Sequence, residues 1–226
     1  MSTLEQQFIE FSIQTNVLRF GEFKTKAGRL SPYFFNAGLF NCGSSLGKLA
    51  DFYAKTLLKA KNEGRVEFDM IFGPAYKGIT LAAAVSIRLA ELGCDVPYAY
   101  NRKEKKDHGE GGVVVGAPLK GKVIIIDDVI SAGTSVGESV EIIKQNGAEP
   151  AGVLIALDRM ECAGTAEHVE PVSAVEHVEE IYNIPVVSIA SLADLMNYLK
   201  QTDVPELAVY SAAIENYRNL YGSKKI

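Results

Sequence analysis

Five short apolar runs, residues 70–73, 98–101, 123–129, 153–157 and 186–189, are mostly separated by stretches with helical periodicity, and this alternation constrains the chain more than any other feature. Strand, helix and strand in succession predict βαβ units, a parallel sheet buried on both faces and right-handed crossovers. The expected fold class is therefore α/β, a central parallel sheet flanked by helices. Ligands of such sheets bind beyond the carboxyl ends of the strands, so chemistry is expected in the loops that follow the runs.

Ahead of the sheet, residues 3–15 read as a helix with Ser2 or Thr3 as N-cap and Leu4, Phe8 and Phe11 at helical spacing. Residues 20–25 and 30–37 read as two strands around a turn at 26–29, and 44–62 as a helix ending at Gly64. The tail, 205–221, reads as one last helix with Leu207, Tyr210, Ile214 and Tyr217 on one face. With 226 residues and no linker or repeat, a single domain is expected, its first forty or so residues forming a small hood and 41–226 the core.

A net charge of −5 argues against nucleic acid as a partner, and no apolar run approaches the roughly 20 residues that cross a bilayer. The amino terminus carries no secretory pattern, so a cytoplasmic location is expected. Cys42, Cys94 and Cys162 are an odd number at wide spacing, which disfavours a disulfide framework or a metal knuckle. Residues 116–122 fit GxxxxGK, but Val123 follows where Ser or Thr should, and the segment precedes a strand.

The sharpest motif is VIIIDDVISAGTS, residues 123–135, a strand that ends in two carboxylates and then opens a helix. Gly133 permits close backbone approach, Ser131 and Ala132 keep the loop slim, and the N–H groups at a helix start favour a phosphate. Thr134 and Ser135 add hydroxyls. Asp127 and Asp128 would repel an isolated anion unless they face hydroxyls or a hydrated metal, so a sugar phosphate suits the site. The second motif is NRKEKKDHGEGG, residues 101–112, where Arg102, Lys103, Lys105 and Lys106 crowd beside His108 among hinge glycines. Such a segment suits a lid that closes on a polyanion and excludes water.

Residues 123–135 resemble the phosphoribosyl diphosphate motif of the type I phosphoribosyltransferases. Residues 101–112 resemble the catalytic loop of the orotate phosphoribosyltransferase family, 26–36 its amino-terminal hood and 72–79 its pyrophosphate-binding loop. That resemblance implies the type I phosphoribosyltransferase fold and transfer of a phosphoribosyl group to orotate. It assigns phosphoribosyl diphosphate to Lys26, Tyr76, Lys77, Arg102, Lys103, Lys106, His108, Asp127, Asp128, Val129, Ile130, Ser131, Ala132, Gly133, Thr134 and Ser135. Orotate falls to Phe34, Phe35, Ser131 and Arg159, whose planar guanidinium suits a carboxylate. Arg102, Lys103, Lys106, His108, Asp127 and Asp128 would carry the catalysis. The resemblance further implies magnesium held mainly by substrate oxygens and water with no direct protein ligand, and a homodimer whose lids are shared. Two alternatives remain at this stage: another base phosphoribosyltransferase, which would lack the hood, and a non-catalytic regulator of the same fold, which has no need of the lid.

Overall fold

The computed structural model describes residues 2–106, 112–131 and 133–223, with the side chains of Lys105 and Lys106 outside the description. Thr3 is the N-cap of α1 (Leu4–Gln14), where its hydroxyl and the Gln6 side chain form a capping box. The hood strands β1 (Leu18–Lys24) and β2 (Leu30–Phe35) form an antiparallel pair with a bulge between Phe20 and Phe23. β1 therefore starts two residues earlier than expected and β2 ends two residues sooner, where a short 3-10 turn takes over.

After α2 (Gly43–Asn62) come β3 (Met70–Gly73), α3 (Lys77–Glu91), β4 (Tyr98–Lys106), β5 (Gly112–Gly116), β6 (Lys122–Ile126), α4 (Thr134–Gln145) and β7 (Glu149–Asp158). The chain continues through β8 (Cys162–Gly164), β9 (Val169–Ser173), α5 (Ala174–Tyr182), β10 (Val186–Ser191) and α6 (Leu192–Gln201). The main sheet has the order β10-β7-β6-β3-β4-β5, parallel except for the β4–β5 pair. The α/β expectation holds.

Side chains alternate across a strand, so both faces of this sheet must be covered. Ile124, Ile126, Leu154, Ala156, Val187 and Ile189 join a core cluster with residues of α2 and α3, and the hood residues Phe8, Leu18 and Tyr33 enter the same cluster. Their neighbours Val123, Ile125, Val153 and Ile155 pack on the other side with Val136, Val140 and Ile143 of α4 and Val178 of α5. Each fully buried aliphatic side chain contributes about 1.5–3 kcal/mol, enough to hold a strand between two helical layers.

Three expectations need correction. Residues 101–112, expected as a loop, begin as strand: β4 runs on to Lys106 because β5 supplies an antiparallel backbone partner, Asn101 opposite Val114 and Lys106 opposite Gly112. The expected strand 123–129 stops at Ile126, and the acids lie beyond it. The expected tail helix is two, α7 (Pro205–Ala208) and α8 (Ser211–Tyr221), and β8–β9 is a hairpin with no apolar alternation to announce it.

Candidate active site

β6 ends beside β3, where the sheet's strand order reverses, and this is the position at which open α/β sheets bind ligands. The backbone of the two acids is pinned there. Asp127 N–H donates to Leu154 O (3.1 Å), Ala156 N–H donates to Asp128 O (2.9 Å), and the buried Tyr53 hydroxyl donates to Asp127 O (2.8 Å). The Asp127 carboxylate folds back on its loop and accepts from Asp128 N–H (2.8 Å) and the Ser135 hydroxyl (3.1 Å). Burial, with Asp128 beside it, raises Asp127 above the ordinary carboxylate range. Asp128 is buried, and its Oδ2 lies 2.6 Å from Lys77 Nζ. The loops after β3 and β6 thus meet in one ion pair.

Gly133 adopts a left-handed conformation (φ 73°, ψ −3°) at the N-cap of α4, a geometry that strains residues bearing a Cβ. The turn delivers Thr134 and Ser135 into the first helical turn, whose N–H groups lack intrahelical partners and favour an anion. Ser131 and Thr134 are exposed, whereas Val129 is half-buried and Ile130 buried against the core. Val129 and Ile130 therefore offer a ligand chiefly their backbone. Ala132 lies outside the described residues.

The loop after β3 is pressed against the same spot. A Cβ on Gly73 would collide with the Gly78 carbonyl, and one on Gly78 would stand 2.6 Å from Pro74 Cδ and 3.0 Å from Ile126 O. Only glycine lets the two loops close up. Ala75 N–H donates to Oδ1 of buried Asn101 (2.8 Å), which ties this loop to β4. Arg102 is half-buried, and its Nη1 has no hydrogen-bond partner among the described residues. With exposed Tyr76 and Lys103 it lines a cavity of about 440 Å³, while Lys103 Nζ stands 3.6 Å from Glu138 of α4. Lys106 closes β4, its side chain undescribed, and His108 lies outside the described residues.

On the hood side, Lys26 is exposed in the β1–β2 turn. The turn is anchored by buried Arg29, which donates to the carbonyls of Cys162 (2.7 Å), Ala163 (3.1 Å) and Thr165 (3.2 Å). Phe34 is exposed and stacks on Phe23 (centroids 5.5 Å apart), whereas half-buried Phe35 leans on Phe8 (6.2 Å). The β2 residue that hydrogen-bonds Arg159 is Tyr33, from Arg159 Nε at 3.4 Å, and Arg159 Nη2 lies 2.6 Å from Glu161. Burial opposes the charge on Arg159, but Tyr33 and Glu161 more than offset it and raise its pKa above the ordinary arginine value. Sequence reasoning missed Tyr33, Glu161, Asn101 and Arg29. The available signals were a tyrosine beside Phe34 in the hood motif and an acid two residues after Arg159.

Residues 46–186 match the family described as Phosphoribosyl transferase domain, and the reversed strand order with its acid-ended β6 and glycine-turned helix start makes this chain a phosphoribosyl transferase by class. The chain is 60% identical over 223 residues to an orotate phosphoribosyltransferase of Herminiimonas arsenicoxydans, covering 98% of this chain and 99% of that protein. It is 62% identical over 219 residues to that of Cupriavidus necator, covering 97% and 95% respectively. A crystal structure of orotate phosphoribosyltransferase from Francisella tularensis superposes with a TM-score of 0.83 at 42% identity, covering 96% of this chain and all of that one. The chain belongs to the orotate phosphoribosyltransferase family.

Proposed function

We propose that the protein transfers the 5-phosphoribosyl group of 5-phospho-α-D-ribosyl 1-diphosphate to a ring nitrogen of orotate, forming orotidine 5′-monophosphate and diphosphate in pyrimidine synthesis. One observation carries this reading: the Lys77–Asp128 pair and the α4 start occupy the switch point of a chain whose full-length relatives are orotate phosphoribosyltransferases. The helix start and the hydroxyls of Ser131, Thr134 and Ser135 bind the 5-phosphate. Asp127 and Asp128 orient the ribose hydroxyls directly or through water. Lys26, Tyr76 and Lys77 hold the diphosphate, and Arg102, Lys103, Lys106 and His108 close on it as charge develops at the leaving oxygen. Phe34, Phe35 and Ser131 frame orotate, and Arg159 takes its carboxylate.

Magnesium, held mainly by substrate oxygens and water, would supply charge neutralisation at the leaving group. The donor set suits such indirect holding. Both Asp127 oxygens already accept hydrogen bonds, one from Asp128 N–H and one from the Ser135 hydroxyl at the start of α4. The working form is a homodimer whose lids cross between subunits, located in the cytoplasm. Among the described residues no helix is long and apolar enough to cross a membrane.

With magnesium and phosphoribosyl diphosphate, orotate absorbance is expected to fall as the nucleotide forms. No change with orotate, together with turnover of adenine or hypoxanthine, would refute the acceptor assignment. Arg159→Lys keeps the charge but loses the paired N–H fork. It is expected to weaken orotate binding by roughly tenfold to a hundredfold, the worth of one charge-assisted hydrogen bond, with little effect on phosphoribosyl diphosphate. Equal loss of both affinities in a titration would contradict the role given to Arg159.

A further inference from the structure

Arg159 follows the last residue of β7, and its guanidinium already has two protein partners. Nη2 stands 2.6 Å from Glu161 Oε1, Nε donates to the Tyr33 hydroxyl at 3.4 Å, and that hydroxyl stands 3.3 Å from the same Glu161 oxygen. The three groups form a closed triangle along one edge of the guanidinium. The Tyr33 ring is fully buried and lies 5.3 Å from the Arg159 Cζ, so ring and hydroxyl both restrain the arginine.

The triangle rests on fixed backbone. Met160 N–H donates to Asp158 Oδ1 (2.8 Å), Ser223 N–H donates to Met160 O (2.8 Å), and Glu161 bridges to Gly222. Immediately beyond, Arg29 holds the carbonyls of Cys162 and Ala163. On the hood side the Ser31 hydroxyl donates to Tyr33 O (2.7 Å). Glu161 and Tyr33 are therefore stationary relative to the long side chain they grip.

We propose that Glu161 and Tyr33 are positioning residues that hold the Nε–Nη2 edge of Arg159 so that its Nη1 end is presented to the carboxylate of orotate. The inference rests on the reading of Arg159 as the orotate-carboxylate residue. A free arginine loses rotamer freedom when it captures a ligand, whereas one already held does not. Glu161 is itself an anion beside the site of an anionic substrate. Its value lies in orientation, and its charge opposes binding.

That balance separates the two variants that test it. Glu161→Ala removes both contacts and is expected to raise the orotate Kd and KM about tenfold, the scale of a lost charge-assisted hydrogen bond, with kcat and the phosphoribosyl diphosphate KM within about twofold of wild type. Glu161→Gln keeps an oxygen that accepts from Nη2 and the Tyr33 hydroxyl, and orotate binding is expected to return to within about threefold of wild type. Tyr33→Phe retains the buried ring, and it serves as the readout if Glu161→Ala does not fold: orotate binding is expected to weaken about threefold with phosphoribosyl diphosphate unaffected. Unchanged orotate binding in the folded variants, equal loss of both substrates, or a Gln variant as weak as the Ala variant would each overturn the proposal. Wild-type protein that fails to bind orotate in the same titration would instead refute the underlying reading of Arg159.

Discussion

Lys106→Ala is expected to lower turnover by about 10² to 10³, the usual loss when one preorganised donor is withdrawn from a site of developing charge. Lys106 is the last residue of β4, and its backbone pairs with Gly112 across the hairpin. The residue thus stands where the paired strands give way to the connecting segment. In the proposed role its cation acts on the departing diphosphate and not on orotate, so kcat should carry the loss while the KM for orotate changes little. Steady-state kinetics with each substrate varied in turn decides the matter. Normal turnover would show that the basic hairpin has no part in the chemistry.

The second large effect is a gain. Residues 102–112 have an extended length of about 36 Å, and because Asn101 and Val114 pair at their two ends the tip reaches roughly half of that, about 18 Å, compatible with a site in the same subunit or in a neighbour. Lys106→Ala leaves the phosphate cradle intact, whereas Asp128→Asn removes the carboxylate that faces Lys77 and leaves the hairpin intact. Each variant should be nearly inactive alone. If lids act between subunits, half of a statistically exchanged population is heterodimer, and each heterodimer carries one site with intact cradle and intact lid. Mixing should then restore roughly a quarter of wild-type activity, up from a background set by losses of about 10² or more. Background activity after exchange has been demonstrated, for instance with differently tagged subunits, would show that each lid serves its own chain.

These experiments differ in what motivates them. The proposed cradle was legible in residues 123–135, because a strand buried on both faces must be apolar throughout, and the two acids, small residues and hydroxyls that follow it suit a ligand better than a core. The proposed lid was legible as a concentration of cations, but the strand in its first half was not. Asn101 to Lys106 are polar at every position, and their strand conformation comes from backbone pairing with residues 112–116, a partner that their own side-chain pattern does not announce. The same holds for β8–β9, and for the break between α7 and α8 within one apolar periodicity.

By itself, then, the sequence determined the α/β class and the succession of the five parallel strands, and its motifs pointed to the proposed cradle and to the reacting partners of the family they resemble. Only the tertiary structure decided which side chains support those motifs. Tyr33 meets Arg159 across 126 residues of chain, Arg29 meets Cys162 across 133, and Lys77 meets Asp128 across 51. Local propensity and periodicity report on neighbours three or four positions apart in a helix and two apart in a strand. Contacts between the ends of different strands depend instead on sheet order and register, which are set by the packing of the whole core.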